Sequence, residues 1–219
     1  SSDVCSSDLG NLSTWFVNPD YWRSMNVDLF MVDYRGFGKS SGRITSQAQL
    51  LADVQAAWQA VAPGYAGRPV VLAGRSLGTG LAAQLAAALP ADQRPAQLLL
   101  VSPYRSLQAL ADAHYPLVPD VLLRYPLRTD QALQALAAAP GPRPAVVLLH
   151  GAQVVSWIPA GDVERLYAAA PGPAVILPSA SATSASSSES LMLAARAVSL
   201  SGSGRNPADL SGNRTRDRK

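Results

Sequence analysis

The sequence is poor in the residues from which most reactive sites are built. Its 219 residues include one cysteine, Cys5, and two histidines, His114 and His150. A single cysteine excludes an internal disulfide framework and a cysteine-rich metal site. No His/Cys pair has ligand spacing either, so no metal or other cofactor is expected. Charge is also scarce, at 15% of residues. The formal net charge of +3 belongs to the C-terminal stretch: residues 1–178 hold 12 Lys/Arg and 12 Asp/Glu, and residues 179–219 hold six and three. A neutral body with a basic tail gives no case for a nucleic-acid-binding domain. No apolar run reaches the roughly 18 residues of a membrane span. The first residues lack the basic and apolar regions of a signal peptide, and the compartment stays open.

What the chain does have is apolar material, 48% of it, with 17 prolines and 16 glycines. That suffices for one α/β domain with a real core. Residues 27–32 form an apolar run broken only by Asp28, which predicts a buried strand. A loop with two spaced glycines, Gly36 and Gly38, follows. Residues 46–62 carry the helical period, with Leu50, Val54, Ala57, Trp58 and Val61 on one face, Ser46 as N-cap and Pro63-Gly64 as the stop. Strands are predicted over 70–73, 97–101, 145–149 and 174–177, and helices over 77–89 and 162–170. Residues 104–142 hold short amphipathic pieces between prolines (107–113, 119–125 and 130–139), which reads as a small helical cap. The alternation of strands and helices argues a doubly wound, mainly parallel α/β sheet.

The two ends follow a different grammar. Residues 1–9 have neither helical nor strand period, and they match, residue for residue, the translation of a common sequencing-adapter end. They are expected to be an artefact outside the domain. Beyond Pro178 the chain is rich in Ser and Ala, then in Gly, Ser, Asn and Arg. Residues 179–219 are expected to be a disordered or out-of-frame tail, because they cannot bury enough apolar surface to offset ordering. The domain proper is expected over residues 10–178.

The stretch that carries chemistry is Val70-Val71-Leu72-Ala73-Gly74-Arg75-Ser76-Leu77-Gly78. It is a Gly-x-Ser-x-Gly pattern between a strand and a helix, the setting of a nucleophile elbow. Strand and helix pass close together there, so Gly74 and Gly78 must lack a Cβ. The turn is expected to expose the Ser76 hydroxyl above the sheet and to aim the Leu77 N–H at a developing oxyanion. Asp33 and Arg35 in the glycine loop, and Asp53 on the first helix, read as hydrogen-bonding and charge partners that hold the loop. Trp15, Trp22, Trp58 and the tyrosines of the cap read as packing residues that could also line an acyl pocket.

Taken together, Gly10-Asn11-Leu12-Ser13, Asp33-Tyr34-Arg35-Gly36-Phe37-Gly38-Lys39-Ser40, Gly74-Arg75-Ser76-Leu77-Gly78, Ser102-Pro103-Tyr104-Arg105-Ser106-Leu107, Tyr125-Pro126-Leu127-Arg128-Thr129-Asp130 and His150-Gly151 resemble the α/β-hydrolase superfamily. The likeness is to its BEM46-like and serine-aminopeptidase-like (S33) branch. The resemblance implies a Ser-His-Asp hydrolase with a helical cap, with Ser76 as nucleophile and the Leu77 N–H as one oxyanion donor. Its substrate would be a small acyl ester or amide.

The chain departs from that pattern in three places. The family's His-Gly-Asn-Ala before Gly10, which supplies the second oxyanion N–H, is not present. The family's acid follows a pattern like His-Gly-x-x-Asp-x-x-Ile-Pro. Here His150-Gly151-Ala152-Gln153-Val154-Val155-Ser156-Trp157-Ile158-Pro159 has one residue too many and no carboxylate, and Asp162 opens the next helix. The family's histidine follows the last strand, whereas no histidine occurs here beyond His150. If Ala182-Thr183 is encoded GCC-ACN, a shifted frame reads a histidine codon there, so a frame change near residue 179 is expected. His150 matches a strand-end position and His114 a surface position of the cap. Two functions follow: an esterase- or amidase-type hydrolase impaired in this chain, or a non-catalytic or inert α/β-hydrolase-fold protein.

Overall fold

The computed structural model describes residues 2–4, 27–117, 123, 125–151, 158–159 and 161–179. Six strands form one sheet: β1 (Ser2–Val4), β2 (Asp28–Leu29), β3 (Val70–Arg75), β4 (Gln97–Val101), β5 (Ala145–Gly151) and β6 (Ala174–Ser179). Their order is β2-β1-β3-β4-β5-β6, and each neighbouring pair is parallel. Each apolar run is a strand because parallel strands are covered on both faces, which removes the usual polar alternation. Leu72, Leu98, Leu100, Val146 and Leu148 point to one side of the sheet and join a large core. Val71, Ala73, Leu99, Val101, Val147 and Leu149 point to the other and form a second cluster.

The α-helices among the described residues are α1 (Gln47–Val61), α2 (Leu77–Ala88), α3 (Leu107–His114), α4 (Thr129–Ala138) and α5 (Asp162–Ala169). The hydroxyl of Ser46 accepts the N–H of Gln49 at 3.1 Å, capping α1 as the sequence predicts. Leu50, Val54 and Trp58 are its buried stripe, and a 3₁₀ turn, Ala62–Tyr65, ends it where Pro63 removes a donor. α2 is buried over most of its length, as befits a helix of alanine and leucine pressed directly on the sheet.

Several boundaries differ from the sequence reading. The strand predicted over 27–32 shrinks to Asp28–Leu29, because β2 is an edge strand whose partner β1 is three residues long. Ser2–Val4, in a stretch with no strand period, lies between β2 and β3 and pairs with both. Ladder hydrogen bonds are made by the backbone, so side-chain pattern does not foretell them. α4, within the stretch read as a cap, packs in the main helix layer against α2 and α5. Its Leu133 and Leu136 are fully buried. The cap piece predicted over 119–125 lies largely outside the described residues, as do Trp15, Trp22 and residues 180–219.

Candidate active site

The chain crosses from β2 at one side of β1 to β3 at the other, so strand order reverses between β1 and β3. Ligands of open α/β sheets bind beyond the carboxyl ends of the strands at such a switch point. Ser76 stands there, between the last residue of β3 and the first of α2. Its backbone is at φ 48 and ψ −119, a conformation that costs a non-glycine residue about 1–3 kcal/mol. Three bonds hold it. The Ser76 N–H donates to the Val101 carbonyl at 3.0 Å, and the Ser76 carbonyl accepts the Thr79 N–H at 2.9 Å and the Thr79 hydroxyl at 2.7 Å.

Close approach fixes the glycine before it. A Cβ on Gly74 would lie 2.3 Å from the Gly78 carbonyl oxygen and 2.9 Å from the Ala82 Cβ. Gly80 is crowded too, by a side chain: a Cβ there would lie 2.6 Å from the Tyr104 hydroxyl. That hydroxyl donates to the Leu77 carbonyl at 3.2 Å, and burial pushes the Tyr104 phenol up, so it stays protonated and donating. Tyr104 therefore ties the loop after β4 to the first turn of α2. Sequence reasoning missed this bond; the extra glycine two residues past the pentapeptide was its only trace.

The Ser76 and Leu77 residues are half-buried. The Leu77 N–H belongs to the first turn of α2, where the helix supplies no acceptor and the dipole favours negative charge. A second strained serine, Ser102 at φ 52, follows β4, with its N–H on the Leu149 carbonyl at 2.7 Å. Nothing in the sequence marked it beyond the proline that follows.

His150 is elsewhere. Arg75 pairs with Val101, and Val101 with Leu149, so His150, the last but one residue of β5, lies two strands from Ser76. Two strand spacings are about 10 Å, beyond the roughly 3 Å reach of a proton transfer. Burial pushes the His150 imidazole below its ordinary value, and Glu164 on α5 partly opposes this. Its Nδ1 is buried without a hydrogen-bond partner among the described residues. His114 is the last residue of α3.

Asp162, the nearest acid after β5, is fully buried at the start of α5. One carboxylate oxygen accepts the Arg105 N–H at 3.1 Å, and the other lies 3.5 Å from the Arg105 Nε and 3.9 Å from the Arg165 guanidinium. These bonds anchor α5 to the loop after β4. Residues 152–157 lie outside the described residues.

The glycine loop is held as its composition suggested. The Arg35 Nε and Nη2 donate to the two oxygens of Asp53 at 2.8 and 2.5 Å. These bonds hold the Asp53 carboxyl below the usual carboxylate range. Asp33 accepts the Lys39 N–H at 3.3 Å, and its carbonyl accepts the Ser40 hydroxyl at 2.6 Å. No group of three or more His, Cys, Asp or Glu able to hold a metal occurs among the described residues.

A parallel sheet flanked by helices, with a strained serine between its third strand and the following helix, defines the α/β-hydrolase class. Solved structures share that fold. Mouse alpha/beta hydrolase domain-containing protein 10 superposes with a TM-score of 0.63 at 17% identity, covering 93% of this chain and 90% of that one. A soluble variant of the monoglyceride lipase of Saccharomyces cerevisiae superposes at 0.61 and 13% identity, covering 90% and 84%. The family model "Serine aminopeptidase, S33" matches residues 19–137, more than half of the chain. An uncharacterized protein of Mycobacterium tuberculosis is 32% identical over 172 residues, which are 78% of this chain and 57% of that protein. Human alpha/beta hydrolase domain-containing protein 17B is 30% identical over 148 residues, 67% of this chain and 46% of its own length. The chain belongs to the serine aminopeptidase (S33)-like branch of the α/β-hydrolase superfamily. It spans about half the length of the curated relatives it matches.

Proposed function

We propose that Ser76 is the nucleophile of an esterase- or amidase-type hydrolase, and that this polypeptide by itself turns over slowly. In this reading the Ser76 hydroxyl attacks an acyl carbonyl, its proton passes to a base, and the Leu77 N–H holds the oxyanion. Water then hydrolyses the acyl-enzyme. The observation that carries the reading is the Ser76 backbone at φ 48, on a turn where any Cβ at position 74 would clash with Gly78. Strain of this kind persists where the surroundings enforce it, and it collects at reactive positions.

The slowness follows from the histidines. Neither His150, two strands away, nor His114, on α3, belongs to the elbow, and no other histidine exists in the chain. Losing a triad histidine costs on the order of 10⁶ in kcat in a well-studied case. The second reading, a non-catalytic protein of this fold, draws on the same observation.

Chemical rescue separates the two. Turnover of p-nitrophenyl acetate is compared between the native chain and Ser76→Ala, with and without imidazole, after subtraction of the free-imidazole reaction. The expected result is no difference without imidazole and a Ser76-dependent rate with it. No Ser76 dependence under either condition selects the non-catalytic reading. Robust Ser76-dependent turnover without imidazole shows that the chain supplies its own base.

A further inference from the structure

Of the five α-helices among the described residues, one begins differently from the rest. In α1, α3, α4 and α5 the carbonyl before the helix takes the N–H four residues on. Leu50 donates to Ser46 and Leu110 to Ser106 at 3.2 Å, and Ala132 donates to Arg128 and Arg165 to Gly161 at 3.1 Å. Before α2 the Ser76 carbonyl takes the N–H three residues on, from Thr79 at 2.9 Å, and the Thr79 hydroxyl at 2.7 Å. One residue thus brings two donors to that oxygen. The next carbonyl, of Leu77, accepts a side-chain hydroxyl as well, from Tyr104 at 3.2 Å.

Inside a helix a threonine hydroxyl commonly bonds a carbonyl three or four residues back, where it competes with the helical ladder. Here the acceptor lies outside the helix, on the strained serine that precedes it. Thr79 is fully buried, and a buried hydroxyl that loses its partner is costly, so this bond is kept.

What the bond fixes is a peptide plane. The Ser76 carbonyl and the Leu77 N–H belong to one planar unit. The unit is trans, so the two groups point in opposite directions. With the carbonyl drawn onto Thr79, the Leu77 N–H is turned out of the N-terminus of α2, where the helix offers it no acceptor. A second donor on the carbonyl also polarises the N–H at the other end of the unit.

We infer that Thr79 is a positioning residue for acyl transfer, its hydroxyl setting the orientation of the Leu77 N–H that receives the oxyanion. The inference rests on the reading of Ser76 as nucleophile. Thr79 acts through the peptide between Ser76 and Leu77 and touches no reacting atom itself.

Thr79→Val removes the hydroxyl and keeps the shape. Two quantities are followed on the full chain: the Leu77 amide signal in a ¹H–¹⁵N spectrum, and imidazole-supported turnover of p-nitrophenyl acetate with Ser76→Ala subtracted. Thr79→Val is expected to move the Leu77 signal and to lower kcat about tenfold, less than the roughly 10²–10³ that loss of a whole oxyanion donor costs. KM should stay within about twofold, because the interaction is made in the transition state. Thr79→Ser is expected to restore both signal and rate. A Thr79→Val protein that unfolds at lower temperature but keeps the native kcat has lost only a structural bond, and that result overturns the proposal. So does a Leu77 signal that stays in place, or a Thr79→Ser protein that regains neither. If Thr79→Val does not fold, Thr79→Ala is set against Thr79→Ser, a pair that differs by the hydroxyl alone, and equal kcat in the two overturns the proposal. Failure of the nucleophile reading shows differently, as a native chain with no Ser76-dependent turnover in imidazole, and it removes this proposal too.

Discussion

The carboxyl ends of β3 and β5 lie two strands apart in one sheet and are built on opposite terms. At the end of β3, close contacts and hydrogen bonds fix the turn: Gly74 is pressed on the Gly78 backbone, Gly80 on the Tyr104 hydroxyl, and Ser76 is held in a strained turn by bonds to Val101 and Thr79. At the end of β5, a half-buried titratable ring keeps one nitrogen buried and without a hydrogen-bond partner among the described residues, and the residues that follow depart from the family's acid-bearing pattern. The contrast shows that β3 and α2 themselves shape the turn that holds Ser76.

Substitutions at the two ends should therefore fail in different ways. Gly74→Val puts side-chain carbon against the Gly78 backbone, which cannot step aside. A loss of about 3 kcal/mol or more is expected from overpacking at a rigid contact, read as a large fall in the denaturant midpoint. Stability close to that of the native chain would mean that the elbow is looser than its geometry implies.

Asp162→Asn keeps the volume and removes the charge that faces Arg105. About 1–3 kcal/mol should be lost, because one buried oxygen becomes an amide with no matching acceptor. Equal stability of the two proteins would remove Asp162 as the anchor of α5.

Ser76→Gly should go the other way. Glycine relieves the positive φ, worth about 1–3 kcal/mol, less the roughly 0.5–1 kcal/mol of extra chain freedom in the unfolded state. A net gain of about 1 kcal/mol in thermal or denaturant unfolding is expected, and a loss would show that the turn is not strained.

The smallest effect concerns pH. His150 is held below its ordinary value by burial, so the unfolded chain takes up the proton first as pH falls. Stability is then flat above the ordinary histidine range and declines as pH falls through it. His150→Gln should flatten that part of the stability–pH curve while leaving the difference between the proteins constant at higher pH. An unchanged slope would place the titration elsewhere.

Most of the helix layer and four of the strands were legible because each has a local cause. Ser46 caps, Pro63 stops, and runs such as Gln97–Val101 are continuous because both faces of the strand are covered. Gly74 was legible for the same reason, since a close approach leaves glycine as the only choice. What escaped was decided at a distance. The slot of Ser2–Val4 is filled by backbone hydrogen bonds that any sequence can make. The Tyr104 bond to Leu77 joins residues 27 positions apart. The place of α4 in the main layer depends on α2 and α5, which its own apolar stripe cannot name.

The proposal that Ser76 is a strained nucleophile lacking a base is put to the test by fluorophosphonate labelling located by peptide mass. A single slow adduct on Ser76 that imidazole accelerates is expected. Fast labelling without imidazole, or an adduct on any other serine, would contradict it.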